Sequence, residues 1–148
     1  MTDAREYLES FKKTEERIRL KARQIRELQD RLMCLSAPME NEQVSHTRNV
    51  AIMAETVAMI VDMQNELDQQ TARLLQAKRE AYRLFDQIQP QSAALLLDRY
   101  LEGSTVAEMS KKLFLSQRQT QRRLNESVLE LQAVFDRLDA EKLSPDVM

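Results

Sequence analysis

Between Ser104 and Asn125 the chain carries Lys111, Lys112, Arg118, Arg122 and Arg123 against one acid, Glu108, a local net charge of +4 in a protein whose total is −2. Cations at this density, set beside Gln117 and Gln121, have the chemistry to neutralise phosphates and to read base edges. An arginine fork fits guanine, and a glutamine amide fits adenine. A charge run by itself is more often a solvated helix face. The decision therefore rests on the elements that hold these side chains.

Two helix starts bracket the cluster. Gly103, the only glycine in the chain, follows Tyr100-Leu101-Glu102 where a helix needs a left-handed residue to stop. Thr105 with Glu108, and again Ser116 with Gln119, have the spacing of a capping box, in which each side chain covers an open amide of the first turn. The two boxes are so close that the first helix must be short, with Val106, Met109 and Leu113 as its apolar stripe, and the connection through Phe114-Leu115 must be tight. This is the spacing of a helix-turn-helix. Thr120 and Leu124 turn inward on the second helix, followed by Val128, Leu131, Phe135 and Leu138. Gln117, Arg118, Gln121 and Arg122 then face outward as candidates for base contacts in double-stranded DNA. Lys111, Lys112, Ser116 and Arg123 flank them as candidates for phosphate contacts.

The run RYLEGSTVAEMSKKLFLSQRQTQRRL resembles the sigma-70 region 4-type domain of small bacteriophage transcription regulators, the RinA/ArpU-like late-gene activators. The residues that carry the resemblance are Arg99-Tyr100-Leu101, Glu108-Met109, Ser116 and Arg122, within about a quarter of the chain. Phe114 departs from the small turn residue usual there, Thr120 from an aliphatic position, and Arg123-Leu124 offsets the next apolar residue. The resemblance implies a sigma region 4-like DNA-binding fold and a transcription regulator of phage or prophage origin.

One glycine, three prolines and 31% charged residues in 148 describe long helices with apolar seams, not a sheet-bearing domain. The first helix is expected from Thr2, as N-cap, to Leu35. Its heptad is Ala4, Tyr7, Phe11, Thr14, Ile18, Lys21, Ile25, Leu28, Leu32 and Leu35. A loop over 36–45 contains Pro38. The second helix, His46 to Gln89, repeats the pattern through Val50, Met53, Val57, Ile60, Gln64, Leu67, Thr71, Leu74, Lys78, Ala81, Phe85 and Ile88. Placing the polar intrusions together sets Lys21 against Gln64, Leu28 against Val57 and Ile25 against Ile60. Phe85 and Ile88 then point to the C-terminal domain, where Pro90 opens a helix, Gln91 to Glu102, whose apolar residues are Ala94, Leu95, Leu97, Tyr100 and Leu101.

The expected architecture is all-α: an antiparallel coiled-coil hairpin over 1–89, a trihelical helix-turn-helix domain over 90–138 and a flexible tail over 139–148. Val61, Leu75 and Tyr82 lie beside the main seam and suit a homodimer. No stretch has the length and apolarity of a membrane span or a signal peptide, so a cytoplasmic protein without a membrane is expected. Cys34 reads as a packing residue and His46 as a solvated one. No phosphate-cradling glycine loop and no metal-binding Cys/His set is present, so neither a cofactor nor an enzymatic activity is expected. Two other readings share these features: a coiled-coil adaptor or anti-activator that binds RNA polymerase or another regulator, and a phage DNA-packaging subunit.

Overall fold

The computed structural model describes residues 2–36 and 43–143, and every regular element among them is helical. α1 spans Ala4–Ser36, α2 Gln43–Phe85, α3 Pro90–Leu96, α4 Val106–Leu113 and α5 Gln117–Leu143; α3 runs directly into a π-helical turn, Leu97–Leu101. The all-α expectation holds. None of the described helices is long and apolar enough to cross a membrane. Three boundaries differ from expectation: α2 begins at Gln43 ahead of His46 and ends at Phe85 before Gln89, and α5 continues past Leu138 to Leu143. The loop segment 37–42, the side chain of His46 and the segment 144–148 lie outside the described residues.

The chain groups into two compact units, one formed by the residues up to Thr14 together with those from Leu74 onward, the other by Glu15–Arg73. In the first, the N-cap of α1 is Asp3 and not Thr2. The Asp3 carboxylate accepts from the amides of Arg5 at 2.9 Å and Glu6 at 3.3 Å. Thr2 contributes its carbonyl instead, to the Gln132 side-chain amide at 2.9 Å, while the Gln132 oxygen accepts from the Ala4 amide at 2.8 Å. One side chain of α5 thus covers a donor and an acceptor at the N-terminus of α1.

Above that contact lies the core: Ala4, Leu8 and Phe11 of α1 pack with Ala81, Phe85 and Ile88, with Leu96 and Leu101, and with Val128, Leu131, Val134 and Phe135 of α5. Leu8, absent from the heptad, is fully buried. Tyr7 stands edge-on to both Phe11 and Phe135, with centroids 5.2 Å apart in each case, the arrangement that brings a ring's positive edge to its neighbour's face. Phe85 and Ile88 are buried here as the sequence suggests, but among the α1 residues as well as those of α5.

Pro90 occupies the first position of α3, and Gln89 before it is extended at φ −63°, ψ 141°, the conformation that a following proline imposes. The buried residues are Ser92, Leu96 and Leu101, whereas Ala94, expected inside, is exposed. The π-helical turn explains the five-residue interval between Leu96 and Leu101. The Glu102 amide reaches back to the Leu97 carbonyl at 2.9 Å, and the wider turn rotates the apolar face relative to an α-helix. Ser92 donates its hydroxyl to Glu130 of α5, so the polar residue within this face is satisfied.

In the second unit, α1 covers the expected positions: Ile25 is buried, and Ile18, Lys21, Leu28, Leu32 and Leu35 are partly so. Along α2 the alternate seam positions are shifted by one residue. Met53, Ile60 and Leu67 are covered as expected, but Val50, Val57, Gln64 and Thr71 are exposed, and Asn49, Thr56, Met63 and Gln70 are covered in their place. Thr56 buries without an open donor, because its hydroxyl donates to the Ile52 carbonyl at 2.7 Å. Lys21 pairs with Glu66 at 2.5 Å, and Gln64 bonds Asp68 on its own helix. The pairings of Lys21 with Gln64 and of Leu28 with Val57 are thereby corrected. An ammonium gains more from a carboxylate than from an amide, and Val57 points to solvent. Cys34, expected to pack, is exposed.

Burial, and secondarily the negative charge of Glu80, raises the Tyr7 pKa from 10.0 to about 12. The folded state therefore favours neutral Tyr7, and this stabilisation is present below pH 10 and lost as pH rises toward 12. Ultraviolet titration of Tyr7→Phe should lack a tyrosinate step near pH 12 that the parent shows. Denaturant unfolding should separate the two kinds of seam position: Ile25→Ala should lose about 2–4 kcal/mol, whereas Gln64→Leu should stay within about 0.5 kcal/mol of the parent.

Candidate nucleic-acid interface

The cationic segment is built on α4, the turn after it and the first turns of α5. Gly103 sits at φ +79°, and a Cβ there would meet no atom within 4 Å. The glycine is required by backbone conformation and not by crowding. The Ser104 amide after it bonds the Asp98 carbonyl at 2.8 Å, and Arg99 donates to the Ser104 carbonyl at 3.0 Å. Arg99, one of the residues on which the family resemblance rests, thus holds the entry to α4.

α4 starts as its cap demands, with Thr105 Oγ1 accepting from the Glu108 amide at 3.1 Å. Its inner face is Met109 and Ser110, both buried, with Val106 partly covered. The Ser110 hydroxyl donates to the Ala107 carbonyl at 2.7 Å, which lets it replace Leu113, 40% exposed, on that face. The helix ends at Phe114, which adopts φ 55°, ψ 40°. Leu115 then closes the turn through its amide to the Ser110 carbonyl at 3.1 Å.

The α5 cap is complete in both directions. The Gln119 amide donates to Ser116 Oγ, and the Ser116 amide to Gln119 Oε1, each at 3.1 Å. Thr120 and Leu124 are sealed against the inner side, and the Thr120 hydroxyl donates to the Ser116 carbonyl at 2.9 Å. Gln117, Arg118, Gln121 and Arg122 are all exposed on the opposite side of the helix, and Lys111, Lys112, Ser116 and Arg123 are exposed around them. None of the five cations is in an ion pair among the described residues. Their charge is available to an outside anion, and the N-terminal amides of α5 add positive potential at the same end.

Two residues join this face that the sequence pattern did not single out. Asn125 follows Gln121 by one turn and accepts from its Nε2 at 3.0 Å. Arg5 reaches the same Asn125 oxygen at 3.3 Å from the opposite end of the chain. No local signal could reveal Arg5, because its proximity depends on α1 packing against α5 within the first unit. The arrangement can grip a polyanion and present amide and guanidinium donors along one helix. Comparison of the chain with protein-family models, with curated proteins and with solved structures finds no match.

Proposed function

We propose that the protein is a sequence-specific, DNA-binding transcription regulator of phage or prophage type, in which α4, the turn and α5 act as a sigma region 4-like helix-turn-helix. The observation that carries the reading is the outer side of α5. Gln117, Arg118, Gln121 and Arg122 are exposed, and neither arginine is in an ion pair among the described residues, on a helix whose opposite side is closed by Thr120 and Leu124. A helix that enters the major groove shows its first turns to base edges, and these four residues occupy those turns. Lys111, Lys112, Ser116 and Arg123 would hold phosphates on either side.

In this reading α1 and α2 form an antiparallel coiled-coil hairpin, supported by the Lys21–Glu66 pair and buried Ile25. The exposed Val61, Leu75 and Tyr82 support a homodimer, which would carry two reading heads and prefer a site with related halves. The DNA-packaging subunit shares the same head, whereas the adaptor that binds RNA polymerase needs no free cationic face.

Binding to selected and random duplexes at two salt concentrations tests the reading. Arg118→Ala and Arg122→Ala should each cost about 1–3 kcal/mol on the selected duplex and far less on random DNA. Lys112→Ala should weaken both alike and reduce the salt slope by about one unit. Equal losses on both duplexes for all three variants would leave a non-specific anchor and favour the adaptor. Light scattering should give twice the chain mass at tens of micromolar; a monomer there removes the dimer.

A further inference from the structure

Phe114 combines two unfavourable features. Its backbone lies in the left-handed region at φ 55°, the only described residue other than glycine with positive φ, where a Cβ crowds the following carbonyl. Its side chain is 94% exposed, so the phenyl ring gains almost nothing from the fold. A glycine would make the same turn without strain, as Gly103 does at φ 79° at the other end of α4. Strain of this kind persists where it serves a function.

The surroundings indicate what the ring meets. Phe114 lies in the turn between Lys111-Lys112 and Gln117-Arg118, at the end of α5 that carries the outward donors, and all four neighbours are exposed. Leu113 is the nearest exposed apolar residue in sequence, at 40%. A protein partner that recognised this turn by apolar burial would find one ring in a cationic rim. A DNA duplex offers the complementary surface: phosphates for the cations, and between them the apolar deoxyribose face and the thymine C5-methyl group, which takes apolar contacts in the major groove.

We propose that Phe114 is a DNA contact, its ring packed on a deoxyribose face or thymine methyl at the rim of the groove that α5 enters. The proposal rests on the DNA-binding reading and adds an apolar contact to one otherwise built from charges and amides. Phe114 would then contribute affinity without contributing to salt dependence, because an apolar contact releases no counterion.

The test uses the full chain and a duplex selected on the parent protein, together with the same duplex carrying deoxyuridine in place of thymidine. Phe114→Gly and Phe114→Asn both suit the left-handed turn and should raise Tm, yet each should weaken binding about tenfold with the salt slope unchanged. Phe114→Tyr keeps the ring and should keep the affinity. If the thymine methyl is the contact, deoxyuridine weakens the parent but not Phe114→Gly; if the deoxyribose is, both duplexes show the same tenfold loss. Binding by Phe114→Gly and Phe114→Asn as tight as the parent's overturns the proposal while leaving the DNA-binding reading intact. A parent protein that binds no duplex at either salt overturns both.

Discussion

The burial of the inner face of α5 is the constraint from which the other features follow. Thr120, Leu124, Ser127, Val128, Leu131, Val134 and Phe135 are all buried, and removing a Leu- or Val-sized side chain from water is worth about 1.5–3 kcal/mol. The two hydroxyls in this stripe do not interrupt it: Thr120 and Ser127 donate to carbonyls one turn back, at 2.9 and 2.8 Å. Because the helix is rigid, closing this face fixes the azimuth of the other one. The residues that stand outward do so because their neighbours on the same helix cannot.

α4 shows a different balance. A helix of eight residues is too short to persist on its own, and it buries little beyond Met109 and Ser110. It is held by its ends: Thr105 covers the first turn, and left-handed residues on either side, Gly103 and Phe114, turn the chain sharply into and out of it. The adjoining start of α5 is closed by two hydrogen bonds between Ser116 and Gln119. Local hydrogen bonding therefore does here what apolar packing does for the long helices.

What could be read from sequence followed the range of the interactions. Both caps were legible because their partners lie three residues apart, and Gly103 because nothing else in the chain could take its place. The α1 seam was legible because polar residues on either side left one choice of stripe. On α2 the stretch Ala51–Val61 is apolar on every side except Glu55 and Thr56, so Val57 and Thr56 competed for one seam position. Hydrophobicity favoured the valine, and the fold buries the threonine, whose hydroxyl its own helix satisfies. The π-helical turn that sets Leu96 and Leu101 inward leaves no periodic trace. The closeness of Arg5 to Asn125 and the burial of Leu8 depend on residues far along the chain, in Leu8's case on α2, α3 and α5 together, beyond the reach of any pattern read along it.

The hold of Gln132 on Thr2 and Ala4 has a consequence for the order in which the molecule is made. Ala4, Leu8 and Phe11 leave the ribosome more than a hundred residues ahead of Leu131, Val134 and Phe135, which share their core. At bacterial or eukaryotic elongation rates the interval is on the order of ten seconds. During that interval α1 has its α2 neighbours but not the helix that closes its first turns. The unit that contains the cationic face is completed only when α5 meets the start of α1, so a nascent chain halted before α5 carries an uncovered apolar stripe on α1. For this fold, translation arrest and truncation ahead of α5 are equivalent insults: each leaves the start of α1 waiting for its cover.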